Sequence, residues 1–363
     1  GIPRVILSYL QQYQDDMRVL VRIPPYYFFI LSQDTSKEIA LLLVSWNPNY
    51  YWKIVRLIIK GIFLYKTTPS VPCYLINLDL GGLENAQYIQ ALNAKNIRVI
   101  VMIYDLIPII NPEYCSANIT RKFVKKIFNA LHYAKGVISV SKVTQDIFMQ
   151  YALSIEKHLP PLVTAGLAPG LSSYLPQDKP LISTAYFVTV GAIRSRKNHL
   201  LLLHVWRNLA DRLGESTPTL VIIGRRRNAC QYTIAMLTRC KKIQKVIMET
   251  QCSDNSLAHY LQYARALLFP SFAEGFGLPL VEALSAHIPV IVSDLPVFRE
   301  IAGATPDYID PVDGMKWMQY IEDYAQDESK LRQAQLKRMK NFVPPLWEDH
   351  FAKIEAFIDS LEE

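Results

Sequence analysis

The sequence predicts an α/β protein built from two doubly wound domains, and three observations support this class. Short apolar runs rich in β-branched residues alternate with longer amphipathic segments along the whole chain. Most of the short runs are apolar throughout, which is typical of parallel strands buried on both faces. The chain has 363 residues, which is enough for two domains that each bury a core.

The predicted elements follow these two patterns in chain order. Pro3 suits the first turn of an opening helix, where its missing N–H costs little. An α/β chain usually begins with a strand, so we expect a further strand before Gly1. Continuous apolar runs predict strands at residues 39–44, 73–79, 97–104, 136–140, 186–190, 219–223, 245–248, 266–269 and 289–292. Apolar residues at helical spacing predict helices at residues 4–14, 119–134, 199–213, 255–264, 280–286, 314–327 and 328–341.

A domain boundary is predicted at residues 160–180, where Pro, Gly, Ser and Leu are frequent and no periodicity is visible. It separates a first domain, residues 1–172, from a second domain, residues 173–341. Residues 342–363 have the pattern of a closing amphipathic helix. A gap between two doubly wound domains would place ligands at the carboxyl ends of the strands that face it.

The overall composition restricts the class of partner without choosing one. The net charge of +7 suits an anionic partner such as a phosphate-bearing ligand, an acidic membrane or a nucleic acid, although no motif for nucleic-acid binding is present. Five scattered cysteines without a CxxC pair predict free thiols in a reducing compartment, not a disulfide framework or a zinc site. The sequence shows no secretory signal and no apolar run long enough to span a bilayer.

The segment that carries chemistry is residues 266–294. After a buried strand, Pro270 ends the run, a glycine-containing loop follows, and Pro279 is expected to open a helix with Glu282 in its first turn. Glycines allow the backbone to approach a ligand closely, and N–H groups at a helix N-terminus attract anions and sugar hydroxyls. Taken singly, Glu282 could simply complement the helix dipole and Glu274 could be a solvated loop residue. Two acidic residues that bracket the sequence GFGLP directly after a strand are a much rarer arrangement.

This segment, PSFAEGFGLPLVEAL, resembles the E-x7-E signature of retaining glycosyltransferases of family 4, which have the GT-B fold of two Rossmann-like domains facing an interdomain cleft. The similarity is specific in the second half of the chain and shorter in the first, and it includes residues 190–198, 220–226, 288–294, 298–303, 1–5, 104–108 and 138–141. Residues 191–198 and 1–5 resemble members that use GDP-mannose in polysaccharide or lipopolysaccharide assembly.

The resemblance implies a role for each matching residue. Glu282 would bind the ribose hydroxyls of the nucleotide, and Glu274 would lie beside the donor sugar and diphosphate. Lys197 and Arg196 would hold the diphosphate. The remaining donor contacts are expected from Gly191, Arg225, Gly275, Phe276, Gly277 and Leu278. Of the three consecutive arginines, only Arg225 is assigned to the ligand, since Arg226 and Arg227 read more simply as exposed charge.

Fixed cations are favoured over a metal ion in this site. Breaking a glycosyl-phosphate bond leaves a nucleoside diphosphate with extra negative charge, which either a divalent metal or fixed cations must stabilise. The sequence has no compact Asp-x-Asp motif, but Arg194, Arg196 and Lys197 follow a predicted strand that ends at Gly191. A solvated basic turn would be the simpler reading of three such charges taken alone. We therefore expect a reaction without a cofactor or a metal.

Tyr104 departs from the family pattern. Members of the family often have His-Asp where this chain has Tyr104-Asp105, and the His contacts the donor sugar. Tyrosine has an ordinary pKa near 10 and cannot serve as a base at neutral pH, but its hydroxyl can hydrogen-bond a sugar. In the family, the departing phosphate oxygen is thought to assist the incoming hydroxyl, so the reaction class does not depend on that His. Alternatively, Tyr104 is a strand-end aromatic that covers the core.

The acceptor side is expected to involve a glycan or a polyprenyl-diphosphate-linked saccharide, as in many members of the family. Residues 50–66 place Lys53, Arg56 and Lys60 on one helix face with aromatic residues near the ends, which fits a helix on an anionic membrane. An ordinary helix with its basic side in water is the alternative. A cytoplasmic location, with peripheral contact at the inner membrane face, follows from these expectations. In GT-B proteins, a helix such as residues 342–363 commonly crosses back to the first domain.

Two other functions remain open at this point. The same residues would serve a transferase that uses a UDP-sugar in place of GDP-mannose. A non-catalytic subunit that binds nucleotide sugars or acts as a scaffold would also retain the fold, and Tyr104 leaves that alternative open.

Overall fold

The computed structural model of the chain describes residues 1–45, 50–64, 73–170, 177–227 and 230–362. The chain divides into two compact units. The first consists of Gly1–Val140, Thr144–Ala165 and Trp347–Glu363, and the second of Ser141–Val143 and Gly166–Leu346. Each unit combines helices with a parallel sheet, so the predicted α/β class is confirmed.

The first unit contains a parallel sheet and a small antiparallel hairpin. Its helices are α1 Ile2–Tyr13, α2 Gln33–Val44, α3 Tyr50–Leu64, α4 Ala86–Asn93, α5 Ile107–Ile110, α6 Ala117–Tyr133 and α7 Lys142–Ser154. Its strands are β1 Leu20–Ile23, β2 Tyr27–Ile30, β3 Cys73–Asn77, β4 Ile97–Ile103, β5 Gly136–Ser139 and β6 Leu162–Thr164. The parallel sheet has the order β3-β4-β5-β6, while β1 pairs with β2. Strand β4 is buried almost throughout, as its continuous apolar sequence predicts.

The strand predicted at residues 39–44 is wrong, because this run belongs to helix α2. The helix begins after Ser32, whose hydroxyl accepts a hydrogen bond from the Thr35 N–H at 3.3 Å. Its buried residues Ser36, Ile39 and Ala40 are spaced three and one apart and so lie on one helix face. A short continuous apolar run fits a buried strand and a buried helical segment equally well. The N-terminal cap and this spacing distinguish the two.

The second unit contains a larger parallel sheet. Its strands are β7 Tyr186–Val190, β8 Thr219–Ile223, β9 Ile247–Thr250, β10 Leu267–Phe269, β11 Val290–Ser293 and β12 Asp307–Ile309. Its helices are α8 His199–Leu213, α9 Gln231–Arg239, α10 Lys241–Gln244, α11 Asp254–Gln262, α12 Leu278–Ser285, α13 Pro296–Ala302, α14 Gly314–Ala325 and α15 Lys330–Met339. The strand order is β12-β11-β10-β7-β8-β9.

Both faces of this sheet are covered. Along β10, Leu267 and Phe269 pack into one apolar cluster, whereas Leu268 packs into the cluster on the other face. The alternation follows from the two-residue period of a strand, and the continuous apolar sequence is what burial on both faces requires. The three-residue strands β6, Leu162–Thr164, and β12, Asp307–Ile309, were not predicted, because each mixes apolar and polar residues over too short a length to show a pattern.

The closing helix α16, Trp347–Ser360, belongs to the first unit. The Tyr9 hydroxyl of α1 lies 2.8 Å from His350 Nε2, and the Tyr9 and Phe351 rings meet edge to face at 5.1 Å. Phe357 packs against Gly136 so closely that a Cβ there would lie 2.8 Å from the Phe357 ring. Within the residues that the structure describes, none of the helices combines the length and the apolar character needed to cross a bilayer.

Candidate functional site

The predicted site residues of the second unit lie on loops that leave three neighbouring strands. Gly191 directly follows β7, Arg225 follows β8, and Glu274 lies in the loop after β10. Strand β7 pairs in parallel with both β8 and β10. Because the carboxyl ends of parallel strands meet at one edge of a sheet, the three loops start side by side.

The loops after β7 and β8 continue the strand pairing past the sheet. The Ile193 N–H donates to the Arg225 carbonyl at 2.9 Å, and Ile193 forms a parallel bridge with Arg226. The backbones approach so closely that a Cβ on Gly224 would lie 2.0 Å from the Gly191 oxygen, so only glycine fits at position 224. This contact fixes the start of the loop after β7, residues 191–198, which carries Arg194, Arg196 and Lys197 and which we call the basic loop.

The centre of the site is a group of three charges. The Glu274 Oε1 atom lies 2.7 Å from Arg196 Nη1 and 2.7 Å from Lys197 Nζ. Arg196 and Lys197 end a short 3₁₀ helix, Ser195–Lys197, and Asn198 follows in the left-handed conformation with φ 52°. The turn that Asn198 makes leads directly into α8. The structure thus brings together three of the residues for which the family resemblance implied a role at the donor sugar and diphosphate.

Two further contacts attach the basic loop to the loop after β10. Arg196 donates from Nη1 to the Ala273 carbonyl at 2.9 Å, and its own carbonyl accepts from the Phe272 N–H at 2.8 Å. The Lys197 ammonium lies 4.4 Å from the centre of the Phe269 ring, a cation–π contact. These contacts fix the positions of both cations.

Burial and charge act in opposite directions on this group. Burial would raise the pKa of Glu274, but the charges of Lys197 and then Arg196 outweigh it and hold that pKa at about 2. For Lys197, burial lowers the pKa more than Glu274 raises it. The Lys197 side chain is 12% exposed and the Glu274 side chain 8%. Glu274 is therefore a buried, permanently ionised carboxylate at physiological pH.

The glycine loop after Glu274 enters helix α12. Gly275, Phe276, Gly277 and Leu278 are all buried. Gly277 has φ +116°, and its carbonyl accepts the Leu280 N–H at 2.9 Å as the first bond of the helix. The backbone conformation thus requires glycine at position 277, as the sequence suggested for this loop.

The prediction that Glu282 lies in the first turn of its helix is wrong. Helix α12 begins at Leu278 and not at Pro279, so Glu282 is its fifth residue, and the first turn holds no acidic residue. The one-residue difference arises because Gly277 caps the helix and Pro279 occupies its second position. Glu282 is 2% exposed. Outside the first turn a carboxylate complements the helix dipole only weakly, and the binding role of Glu282 stays a prediction.

Arg225 and Arg226 differ in their partners. Arg225 is exposed and donates from Nε to Gln251 Oε1 at 3.1 Å. Arg226, which the sequence suggested was simply exposed charge, forms a bidentate pair with Glu249 at 2.8 and 2.6 Å. The pair joins the carboxyl ends of β8 and β9.

Tyr104 and Asp105 belong to the first unit, directly after β4. Asp105 accepts a hydrogen bond at 3.1 Å from the N–H of Ile107, the first residue of the short helix α5. Among the residues described, the buried Tyr104 hydroxyl has no hydrogen-bond partner. Burial, followed by the charge of Asp79, raises the pKa of Tyr104 above its ordinary value. Tyr104 is therefore a neutral phenol at physiological pH.

Sequence reasoning missed His199. The side chain is 2% exposed, and neither ring nitrogen has a hydrogen-bond partner in the described part of the chain. Burial and then the nearby Lys197 charge lower its pKa to about 4. Its place directly after Lys197-Asn198 was the available signal. As for metals, the described ranges contain no cluster of three His, Cys, Asp or Glu side chains that could hold an ion.

Comparison with known proteins shows that the second unit is similar to a described family. Residues 177–341 match the family model for glycosyl transferases group 1. The chain is 26% identical over 294 residues to the O-antigen chain mannosyltransferase RfbU of Salmonella typhimurium, covering 81% of this chain and 74% of that protein. It is 29% identical over 239 residues to the serotype-specific mannosyltransferase WbdA of Escherichia coli. That match covers 60% of this chain and only 29% of WbdA.

Solved structures share the fold. An alpha,alpha-trehalose 6-phosphate synthase from Burkholderia multivorans superposes with a TM-score of 0.60 at 10% identity, covering 96% of this chain and 86% of that chain. The pneumococcal O-GlcNAc transferase GtfA, in complex with UDP and GlcNAc, gives a TM-score of 0.51 at 17% identity, covering 85% and 59%. At such low identities, these similarities establish the fold alone.

Proposed function

We propose that the chain is a glycosyltransferase that transfers mannose from GDP-mannose to a glycan or lipid-linked saccharide, in keeping with its GT-B fold and its similarity to bacterial mannosyltransferases. The relatives carry the name mannosyltransferase, and this motivates the choice of sugar. We propose that transfer retains the anomeric configuration, as the E-x7-E signature implies.

The observation that carries the proposal is the pair of partly buried cations, Arg196 and Lys197, at the carboxyl edge of the sheet. When the bond from sugar to diphosphate breaks, negative charge develops on the leaving phosphate. Lys197 and Arg196 are largely shielded from water, and in such surroundings a fixed positive charge stabilises developing negative charge more strongly than in solution. Two fixed charges can do what a divalent metal does in other transferases, so we propose a metal-independent reaction.

The remaining donor contacts are assigned to residues that follow β8 and β10. We propose that the backbone from Gly275 to Leu278 contacts the sugar and phosphate, and that Glu282 binds the ribose hydroxyls. Arg225, exposed beside Gln251, would reach the nucleotide from the neighbouring strand. A carboxylate that accepts hydrogen bonds from the two ribose hydroxyls would strengthen nucleotide binding, because hydrogen bonds to charged groups are stronger than those between neutral groups.

Tyr104 is proposed as a hydrogen-bond donor to the sugar and not as a base. Its hydroxyl is buried and unpartnered among the described residues, and its raised pKa keeps the proton in place at neutral pH. The proton of the acceptor hydroxyl would pass to the departing phosphate oxygen. Asp105, which accepts the Ile107 N–H, would keep the backbone next to Tyr104 in position.

We further propose that helix α3 contacts the anionic inner face of the cytoplasmic membrane, where lipid-linked acceptors would be found. Trp52 is 73% exposed and Ile59 is 51% exposed, and both lie beside the exposed cations Arg56 and Lys60 on the helix surface. No acidic residue occurs anywhere in residues 39–78. This combination of exposed apolar and basic side chains fits an interfacial helix. Residues 65 and 66 of the predicted segment lie outside the described residues.

Vesicle binding tests the membrane proposal. A Trp52→Ser/Ile59→Ser variant should cosediment with vesicles containing anionic phospholipid at least about fivefold less than the unmodified chain, because both apolar side chains that would insert into the membrane are removed. Leu153→Ser is the matched control, since Leu153 is 67% exposed on α7 and should leave binding unchanged. Equal binding of all three proteins would refute a role for α3.

Nucleotide release tests the transfer reaction. The chain should release GDP from GDP-mannose in the presence of a chelator and a saccharide acceptor, and release of UDP from a UDP-sugar would instead identify the alternative donor. Lys197→Ala should lower kcat by about 10²–10³ while changing nucleotide affinity less, because its charge acts mainly on the leaving group. Glu282→Ala should weaken GDP binding by about tenfold or more.

The control variant is Lys241→Ala, which removes an exposed lysine of α10 and should change neither quantity. Nucleotide binding without release, with a lipid-linked acceptor present, would support a non-catalytic subunit and contradict the transferase. Unchanged kinetics in both site variants would refute the site assignment.

A further inference from the structure

Glu274 holds both of the cations that the proposed function assigns to the donor diphosphate. One oxygen of its carboxylate lies 2.7 Å from Arg196 Nη1 and 2.7 Å from Lys197 Nζ. A phosphate oxygen that contacts both donors would approach them from the same side as this carboxylate oxygen. A carboxylate and a phosphate oxygen cannot occupy that position together, because both are negatively charged and fill the same space.

We propose that the Glu274 carboxylate competes with the diphosphate of the donor for Arg196 and Lys197, so that donor binding displaces it from both cations. This inference rests on the proposed function, since it assigns an additional role to a residue of the same site. Glu274 would then act as an internal anion that limits donor affinity and is released to the reacting sugar on binding.

The charges of the group favour such an exchange. Glu274 remains ionised at every physiological pH, so the group of three side chains carries a net charge of +1. Once the carboxylate leaves, the cations present two positive charges to a diphosphate. A nucleoside diphosphate carries more negative charge than one carboxylate, and its attraction to the pair is therefore stronger.

The cations keep their positions without Glu274. Arg196 also donates to the Ala273 carbonyl at 2.9 Å, and its own carbonyl accepts the Phe272 N–H at 2.8 Å. Lys197 packs against the Phe269 ring at 4.4 Å. Glu274 itself lies in a loop and in no regular element, next to Gly275. Glu274, which must move, thus lies on a loop, whereas Arg196 and Lys197, which must stay in place, each have another partner.

Calorimetric titration with GDP tests the exchange. Glu274→Gln keeps the shape and removes the charge, so it should bind GDP about tenfold more tightly than the unmodified chain. Its transfer rate should nevertheless fall, because the charged carboxylate no longer reaches the reacting sugar. The matched control is Glu249→Gln, which removes the partner of Arg226 at the neighbouring strand and should leave GDP affinity unchanged. A folded Glu274→Gln variant that binds GDP as weakly as the unmodified chain, or more weakly, overturns the inference.

A second measurement covers the case in which Glu274→Gln fails to fold, since removing one partner of a buried ion pair is costly. In a crystal structure of the unmodified chain with GDP, Glu274 Oε1 should lie more than about 4 Å from Lys197 Nζ, beyond ion-pair distance. A separation that remains at 2.7 Å with the diphosphate on Lys197 overturns the inference. If the unmodified chain binds neither GDP nor UDP, the proposed function fails first. If it binds nucleotide without the exchange, only this inference fails.

Discussion

Replacing Gly277 by alanine tests the geometry of the loop that enters α12. Gly277 has φ +116°, a region that residues with a side chain rarely adopt. A Cβ at this position would lie 2.7 Å from Cε1 of Phe298, well inside van der Waals contact. Phe298 is fully buried in the core of the second unit and cannot withdraw into solvent.

The expected loss of stability has two parts. Holding alanine at a positive φ costs about 1–2 kcal/mol. Forcing an additional methyl group against the buried Phe298 ring costs about 1–3 kcal/mol. Alanine also reduces the entropy of the unfolded chain, which returns about 0.4–1 kcal/mol. The free energy of unfolding should therefore fall by about 1–5 kcal/mol.

Urea unfolding followed by circular dichroism measures this loss, and the chain offers a matched control. Gly214 also has a positive φ, +55°, but a Cβ there would have nothing within 4 Å. Gly214→Ala should therefore cost only the backbone part, about 1 kcal/mol. If Gly277→Ala and Gly214→Ala lower the unfolding midpoint equally, the steric argument is wrong and the loop can relax away from Phe298.

Three further outcomes are expected. Because the folded chain lowers the pKa of His199 from 6.5 to about 4, its contribution to stability is complete above pH 6.5 and is lost as pH falls toward 4, by about 3 kcal/mol in total. The melting temperature of His199→Gln should accordingly fall less steeply than that of the unmodified chain over this range, and parallel curves would contradict the assignment. Tyr9→Phe should lower the free energy of unfolding by about 1–2 kcal/mol, because it removes the buried hydrogen bond to His350; no change in urea unfolding would show that bond to be unimportant. Ser32→Ala should cost about 1 kcal/mol by removing the cap of α2, measured by the same unfolding and compared with Ser32→Asp, which should retain most of the stability.

The sequence predicts most strands of the second unit because they are largely apolar. Residues 186–190 and 219–223 were predicted with the bounds that the structure has, since a parallel strand covered on both faces is apolar at nearly every position. The same rule failed at residues 39–44, where a helix is apolar over a similar length. A continuous apolar run indicates burial reliably. It indicates whether the element is a strand or a helix only when a helix cap or a breaking residue is recognised as well.

The sequence by itself determined that this chain is an α/β protein and, through the family resemblance, predicted one site for Glu274, the glycines after it and Lys197. These conclusions depend on local order along the chain: a strand, a glycine loop and the start of a helix. Only the tertiary structure decided that Glu274 binds Arg196 and Lys197, because those residues are more than 70 positions apart and meet through the pairing of β7 with β10. It also decided that His199 is buried without a hydrogen-bond partner in the described chain. Burial and ion pairing depend on which strands become neighbours, and no local pattern in the sequence records that choice.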